Sequence, residues 1–299
     1  MRFISHHIKI PKDVYQLKGI FDRNKKSLHL VGGAVRDSLL GRSPRDFDFV
    51  TDATIEEVVG FLSGNFEIIK TKHEFGSLKI RKDTFSDVYD IITFREEACG
   101  KIATCLEDDV LRRDFTINSL YYDIDLKKVL DFVGGFEDLR SGILRTVAEV
   151  MQFTHPTEPQ QNLDNVFRDD PNRILRGIRF ASRYGFGFTD KTDSAMMSIG
   201  NLSGVKKKKI KNEFLSGISG AINGGEAVKT YHRFGVLNDI FPLLKVDPGK
   251  ELPPDPYEAI AALIGDNEPE KVVNVLKLLK YTKEESEMVL DHIVGKSDA

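Results

Sequence analysis

Residues 31–53 read VGGAVRDSLLGRSPRDFDFVTDA, and this stretch decides the fold. The apolar run Leu28–Val31 ends in Gly32–Gly33, passes into helical AVRDSLLG and closes at Gly41. That order predicts strand, glycine turn, helix. A second short strand is expected at Phe47–Val50. Asp46 and Asp48 are separated by one residue, so in an extended segment both side chains leave the same face. Two like charges directed at one point repel unless a cation lies between them. Hard oxygen ligands of this kind suit Mg²⁺, which bridges protein carboxylates and triphosphate oxygens. The plain alternative is a pair of solvated aspartates on an edge strand. Gly32–Gly33 lets the backbone approach an anion closely, at a helix start whose free N–H groups suit phosphate. Arg36, in the first turn, can add charge-assisted hydrogen bonds to the same anion. Together these features describe a metal–triphosphate site.

Outward from this stretch, the first third of the chain reads as mixed α/β. Pro11 to Asn24 patterns as a helix with Val14, Leu17, Ile20 and Phe21 on one face. Thr54 to Leu62 patterns as another, with Thr54 and Glu57 spaced for a capping box. Strands are expected at Phe66–Ile69, Gly76–Ile80, Val88–Phe94, Thr116–Tyr122 and Val129–Phe132, which are rich in β-branched and aromatic residues. Asp90 lies within the apolar run of the third of these. An ionised group there needs either a role in the acidic cluster or a buried partner. From about Arg145 onward, apart from a Pro-containing linker at Thr154–Gln161, the pattern is helical. Strands at one end and helices at the other predict an α/β head followed by helical units.

Composition narrows the function class. With 299 residues, 40% hydrophobic and 30% charged, the chain is that of a globular protein with room for two or three packed units. There is no apolar run of about 18 residues to span a bilayer and no secretory leader pattern, so a cytoplasmic protein without membrane partners is expected. Two cysteines, Cys99 and Cys105, exclude a disulfide scaffold and a cysteine-built metal site. A net charge of −3 argues against a protein that coats nucleic acid non-specifically, but a local basic face suffices for phosphate contacts. Lys206, Lys207, Lys208, Lys209 and Lys211 form the candidate RNA-binding face; the alternative is a solvated helix face.

Three blocks, in order, give the sequence a specific resemblance. They are residues 31–53, LRRDFTINSLYYD at 111–123 followed by DFVGGFEDL, and DDPNRILRGIRFASRYGF at 169–186. A weaker echo runs to YHRFGVLNDIFPLL. The chain resembles the class II tRNA nucleotidyltransferases (CCA-adding enzymes) and the bacterial poly(A) polymerases, within the polymerase-β-like nucleotidyltransferase superfamily. The resemblance implies an α+β fold: a small mixed-sheet nucleotidyltransferase head at 1–145, a helical neck at 146–215 for base recognition and RNA binding, and a short, truncated helical body at 216–299. It implies two Mg²⁺ ions on Asp46 and Asp48, with Asp90 as the third carboxylate. It also implies addition of C and A from CTP and ATP to the 3′ end of tRNA, with release of pyrophosphate. Gly32, Gly33, Arg36 and Arg113 match nucleotide-binding positions, and Asp114 and Asn118 those that recognise ribose.

The third block carries the base-reading expectation. Asp170 and Arg173 are three apart, hence on one helical face. An aspartate offers only acceptors and an arginine only donors. Cytosine and adenine each present an amino donor beside a ring-nitrogen acceptor, whereas uracil and guanine present the reverse. The pair can therefore select C and A without a template. Arg176 and Arg179 continue the stripe as nucleotide-binding arginines. The competing reading is that Asp170, ahead of Pro171, is an ordinary helix cap.

Departures from the family pattern are a short C-terminal part, a short segment between Arg95 and Arg112, and an apparent insertion at Val150–Asn165. The short segment is the feature associated with CC-only addition. A histidine-aspartate phosphohydrolase module is absent. The rival readings are a poly(A) polymerase and a non-catalytic RNA-binding relative.

Overall fold

A computed structural model of the chain describes residues 1–44, 46–73, 76–94, 105–154 and 163–294. The chain divides into two compact units, one of residues 1–141 with 145–154, the other of 142–144 with 155–299.

The first unit holds β1 (Arg2–Ser5), α1 (Lys12–Arg23), β2 (His29–Val31), α2 (Gly33–Leu39), β3 (Phe47–Thr51), α3 (Ile55–Leu62), β4 (Glu67–Lys72), β5 (Ser77–Arg81), β6 (Val88–Thr93), α4 (Leu106–Leu111), β7 (Leu120–Asp123), β8 (Lys128–Asp131), α5 (Gly135–Ser141) and α6 (Val147–Thr154). Its strands form an 8-stranded sheet in the order β1-β8-β7-β2-β3-β6-β5-β4. β3 and β6 run parallel, and every other neighbouring pair is antiparallel.

Both faces of the sheet are covered. On one, Phe49 and Tyr89 meet edge to face at 5.9 Å, Phe21 of α1 meets Phe61 of α3 at 5.2 Å, and the Tyr89 hydroxyl donates to Asp13 at 2.7 Å. On the other, Val31, Val50, Tyr121 and Leu130 of the sheet form a cluster with Val110 of α4 and Val147 of α6. Features set within a few residues form as expected. The α1 face is buried at Val14, Leu17, Ile20 and Phe21. The α3 box closes, with Glu57 N donating to Thr54 Oγ1 at 3.2 Å and Thr54 N to Glu57 Oε2 at 2.8 Å.

Two expectations change. Thr116–Asn118 is a 3₁₀ turn and the strand begins only at Leu120. The turn is held by Asn118 N to Phe115 O and Ser119 N to Thr116 O, both 3.0 Å. Gly135 lies so close to the Thr116 carbonyl that no Cβ fits between them. The strand β1 had no apolar pattern to reveal it, because it is a mostly exposed edge held by backbone pairing to β8.

The second unit contains β9 (Ile143–Leu144), α7 (Leu163–Asp169), α8 (Asn172–Tyr184), β10 (Gly187–Phe188), α9 (Asp190–Ile199), α10 (Lys207–Ser219), α11 (Gly224–Arg233), α12 (Leu237–Ile240), α13 (Pro256–Ile264), α14 (Pro269–Leu278) and α15 (Lys283–Val294). α8 buries Ile174, Leu175 and Ile178 and packs against α10 and α11, while α13 packs on α15. α6, where the expected neck begins, belongs to the first unit, and α7 to α15 lie together in the second. The expected insertion falls largely on 155–162 and the short segment after Arg95 largely on 95–104, both outside the described residues. Among the described residues no helix is long and apolar enough to cross a membrane.

Candidate active site

Strand register brings the acidic residues together. Across the sheet Val31 lies opposite Asp48, Asp48 opposite Asp90, and Asp90 opposite Lys79. Neighbouring strands are about 4.8 Å apart, so these side chains stand in one row on one face. Asp46, two residues before Asp48, is exposed and lies immediately ahead of β3 rather than within it, contrary to the expectation of one strand for both. Asp48 is partly buried, and its carboxyl is pushed up to about 6, first by burial and then by the charges of Asp90 and Asp46; Lys79 and Arg113 pull it down. The acidic residues are therefore coupled, and Asp48 carries the cost.

Asp90 has a specific competitor. Lys79 Nζ forms an ion pair with Asp90 Oδ2. Among the described residues no three His, Cys, Asp or Glu side chains are close enough to hold a metal ion together. A closed three-carboxylate cage is thus not formed. The donor set still fits magnesium, which keeps several waters and is bound through one or two carboxylates plus substrate phosphates. Asp46 and Asp48 are the carboxylates that could serve in this way, and the charges of Asp90 and Asp46 add to burial in raising the Asp48 carboxyl. Lys79 was overlooked in the sequence. The signal was available, since it sits between buried Leu78 and Ile80 and so must face the opposite side of β5.

Gly32 adopts φ +69°, a left-handed conformation that a side chain would strain. α2 that follows has only seven residues, so its dipole is short. Arg36 does not reach outward for an anion: it is 6% exposed, and its Nη1 donates to Asn118 Oδ1 at 2.5 Å while its Nε donates to Asp37 at 3.0 Å. The Asn118 amide is thereby oriented, with Nδ2 donating to Asp114 Oδ1 at 3.1 Å. The first and second sequence blocks meet in this relay, through residues 82 positions apart in the chain. Arg113 is held separately by Asp109 and Tyr121.

In the second unit, Arg173, Arg176 and Arg179 form the expected stripe of partly exposed residues on α8. Asp170 caps the helix, accepting from Asn172 N at 3.2 Å, and its other oxygen lies 4.0 Å from Arg173 Nε. Capping and proximity to Arg173 coexist. Arg179 is tied into the scaffold by an ion pair to Glu213 of α10 at 2.7 Å, and it lies 4.4 Å from the Phe180 ring centroid. The lysine run splits. Lys206 to Lys209 lie on accessible positions at the start of α10, where cations oppose the helix dipole and no acidic residue of the first turn compensates. Lys211 does not belong to that face: it is 6% exposed and holds both Glu285 oxygens at 2.8 and 2.9 Å.

Comparison with known proteins agrees with this architecture. Residues 28–145 match the family model described as poly A polymerase head domain. Poly(A) polymerase I of Escherichia coli O6:H1 is 31% identical over 260 residues, covering 80% of this chain and 53% of that protein. The CCA-adding enzyme of Bacillus pumilus is 34% identical over 200 residues, covering 62% of this chain and 45% of that one. The chain spans about half the length of the curated relatives it matches. A Bacillus stearothermophilus CCA-adding enzyme solved in complex with CTP has the same fold, with TM-score 0.77 at 21% identity over 97% of this chain and 71% of that chain.

Proposed function

From the premise that residues 28–145 belong to the poly A polymerase head-domain family, we propose that the protein adds C and A nucleotides, or CC alone, to the 3′ end of tRNA from CTP and ATP. The observation that supports this reading most is the Asp48 carboxyl, pushed up to about 6 among Asp90 and Asp46 and within the field of Arg113. Such a site favours a divalent cation and a polyphosphate over empty solvent. Asp46 and Asp48 would hold the Mg²⁺ ions, two in this family reading. Bound there, magnesium supplies a lowered pKa for the RNA 3′-hydroxyl and neutralisation of triphosphate charge. The residues themselves supply position. The Gly32–Gly33 turn admits the triphosphate, Arg113 offers it N–H donors, and Asp114, fixed through Asn118 and Arg36, accepts from a ribose hydroxyl. The 3′ oxygen then attacks the α-phosphorus in line and pyrophosphate departs, a reaction whose catalysis is mostly orientation and electrostatics. Asp170 and Arg173 would read the base edge.

The direct experiment uses Mg²⁺, labelled CTP or ATP, and tRNAs ending at the discriminator base, at C or at CC. Full CCA addition, CC addition and A addition give three different ladders. A long A-only smear instead identifies a poly(A) polymerase, the reading favoured by the E. coli relative. RNA binding with no incorporation leaves a non-catalytic relative.

The lysines provide a separable prediction. Replacing Lys207, Lys208 and Lys209 together by Ala is expected to weaken tRNA binding and flatten its salt dependence by roughly 0.7 in slope per lost phosphate contact, with no loss of melting temperature. Lys211→Met is expected to do the reverse. It removes the cation that holds both Glu285 oxygens, destabilises the fold by about 1–3 kcal/mol, and leaves the salt slope intact. A filter-binding salt titration beside a thermal melt checks both.

A further inference from the structure

We propose that Asp109 is a positioning residue, which fixes the guanidinium of Arg113 in the orientation from which that arginine meets the nucleotide. The inference rests on the reading of Arg113 as a nucleotide contact and adds the residue through which that contact is set. Asp109 lies near the middle of α4 and is 0% exposed. One of its oxygens, Oδ2, accepts from Arg113 Nε at 2.9 Å, from Arg113 Nη2 at 2.6 Å and from the Tyr121 hydroxyl at 2.7 Å. Arg113 Nε also donates to the Tyr121 oxygen at 2.8 Å, so the three groups close a triangle. The Arg113 guanidinium carbon lies 5.0 Å from the centroid of the Tyr121 ring.

The geometry settles which part of the arginine is used up. A guanidinium is a rigid planar fork of five N–H groups. Asp109 engages it along the Nε–Nη2 edge, which fixes the plane. Arg113 Nη1 makes one long contact to Asn118 O, at 3.5 Å, and among the described residues N–H groups on Nη1 and Nη2 remain for a further acceptor. The charge so placed acts on Asp48. Arg113 is thus pinned along one edge of its fork.

Stability is a poor explanation for this arrangement. A buried ion pair is often matched or exceeded by apolar residues of similar volume, and Val110, Val147 and the Tyr121 ring already form an apolar surround. The second oxygen of Asp109, Oδ1, is buried without a hydrogen-bond partner among the described residues. That is a standing cost, of a kind that calls for an explanation. Placement of a charge supplies one.

The test compares Asp109→Asn, Tyr121→Phe, Arg113→Ala and the double variant Asp109→Asn/Arg113→Ala. Binding of CTP and of ATP is measured without RNA, with KM and kcat, tRNA affinity and melting temperature alongside. Arg113→Ala and Asp109→Asn are each expected to weaken nucleotide binding by about 10-fold or more, Tyr121→Phe by a few-fold, and none to change tRNA affinity. Asparagine at 109 should add nothing further in the Arg113→Ala background, because it acts only through that arginine. Additive losses in the double variant, or an Asp109→Asn protein that melts earlier yet binds nucleotide as the parent does, overturn the proposal. Should Asp109→Asn fail to fold, Tyr121→Phe decides alone, and unchanged nucleotide binding there sinks it. An Arg113→Ala protein with parental nucleotide binding would refute the underlying role of Arg113, and that result is distinct from failure of Asp109→Asn alone.

Discussion

Asparagine at position 48 is expected to give a protein that adds no nucleotide and yet withstands heat better than the parent at pH 8. Asp48 is held at about 6 in the folded chain, against an ordinary value of 3.8. The folded state therefore binds this proton more tightly than the unfolded state does. The sign follows: stability from this group is greatest below about pH 4, falls as pH rises from about 4 to 6, and is level above that. The loss is on the order of 1–3 kcal/mol, since a tenfold difference in proton affinity corresponds to about 1.4 kcal/mol and Asp48 is only partly buried. Asparagine has the same shape and no charge. It should raise the melting temperature by a few degrees at pH 8 and by nothing measurable at pH 4. Nucleotide addition should drop by about 10³-fold or more, because the ligand oxygen that draws magnesium and the triphosphate together is gone.

The two effects belong together. A carboxylate kept at the expense of stability is one retained for binding a cation, and a ligand that binds only the folded state returns that stability. Magnesium should accordingly raise the parent's melting temperature at pH 8, raise it less at pH 5, and leave the Asp48→Asn protein nearly unmoved. Melting curves with and without Mg²⁺ at the two pH values decide the matter. An Asp48→Asn protein that melts earlier than the parent at pH 8 would show Asp48 to be a structural partner, and the acidic site would lose its meaning.

What the sequence disclosed of this site depended on chain distance. The glycine turn, the Thr54–Glu57 box and the stripe on α8 are all set within a few residues, and all are found, whereas Asp46 falls just outside the strand that carries Asp48. The partners that define what each charge does come from afar. Lys79 reaches Asp90 only because β5 pairs with β6 in one register. Arg36 finds Asn118 across 82 positions, Arg179 finds Glu213 across 34, and Lys211 finds Glu285 across 74. A run such as Lys206–Lys211 looks uniform in sequence because charge is counted there without burial. Helix geometry then turns Lys211 inward beside Ile210 and leaves Lys206, Lys208 and Lys209 exposed. Asp109 was invisible for a related reason, since a carboxylate in LEDDV looks like one more solvated acid until Tyr121 and Arg113 close over it.

Asp170→Asn is expected to loosen base selection while leaving the fold as stable as before. The capping and base-reading roles of Asp170 need not compete, because the two oxygens are used differently: Oδ1 takes the Asn172 N–H, and Oδ2 lies toward Arg173 on a side chain about half exposed, 47%. Asparagine caps as well as aspartate, so the melting temperature should hold. What changes is the outer atom, which can become an amide donor and meet the carbonyl of uracil where aspartate repelled it. The preference for CTP over UTP should fall by about 10- to 100-fold, the scale of one or two polar contacts that cease to be mismatched. Arg173→Ala removes the complementary donor and should lower CTP and ATP use while narrowing their advantage over UTP and GTP. Combining Asp170→Asn with Arg173→Glu reverses both positions, donor for acceptor and acceptor for donor, and should favour UTP outright. Competition assays with all four nucleotides on one primer RNA read out every case. If the single variants continue to reject UTP and GTP as the parent does, Asp170 is a helix cap and nothing more, and selection of the base resides elsewhere in the chain.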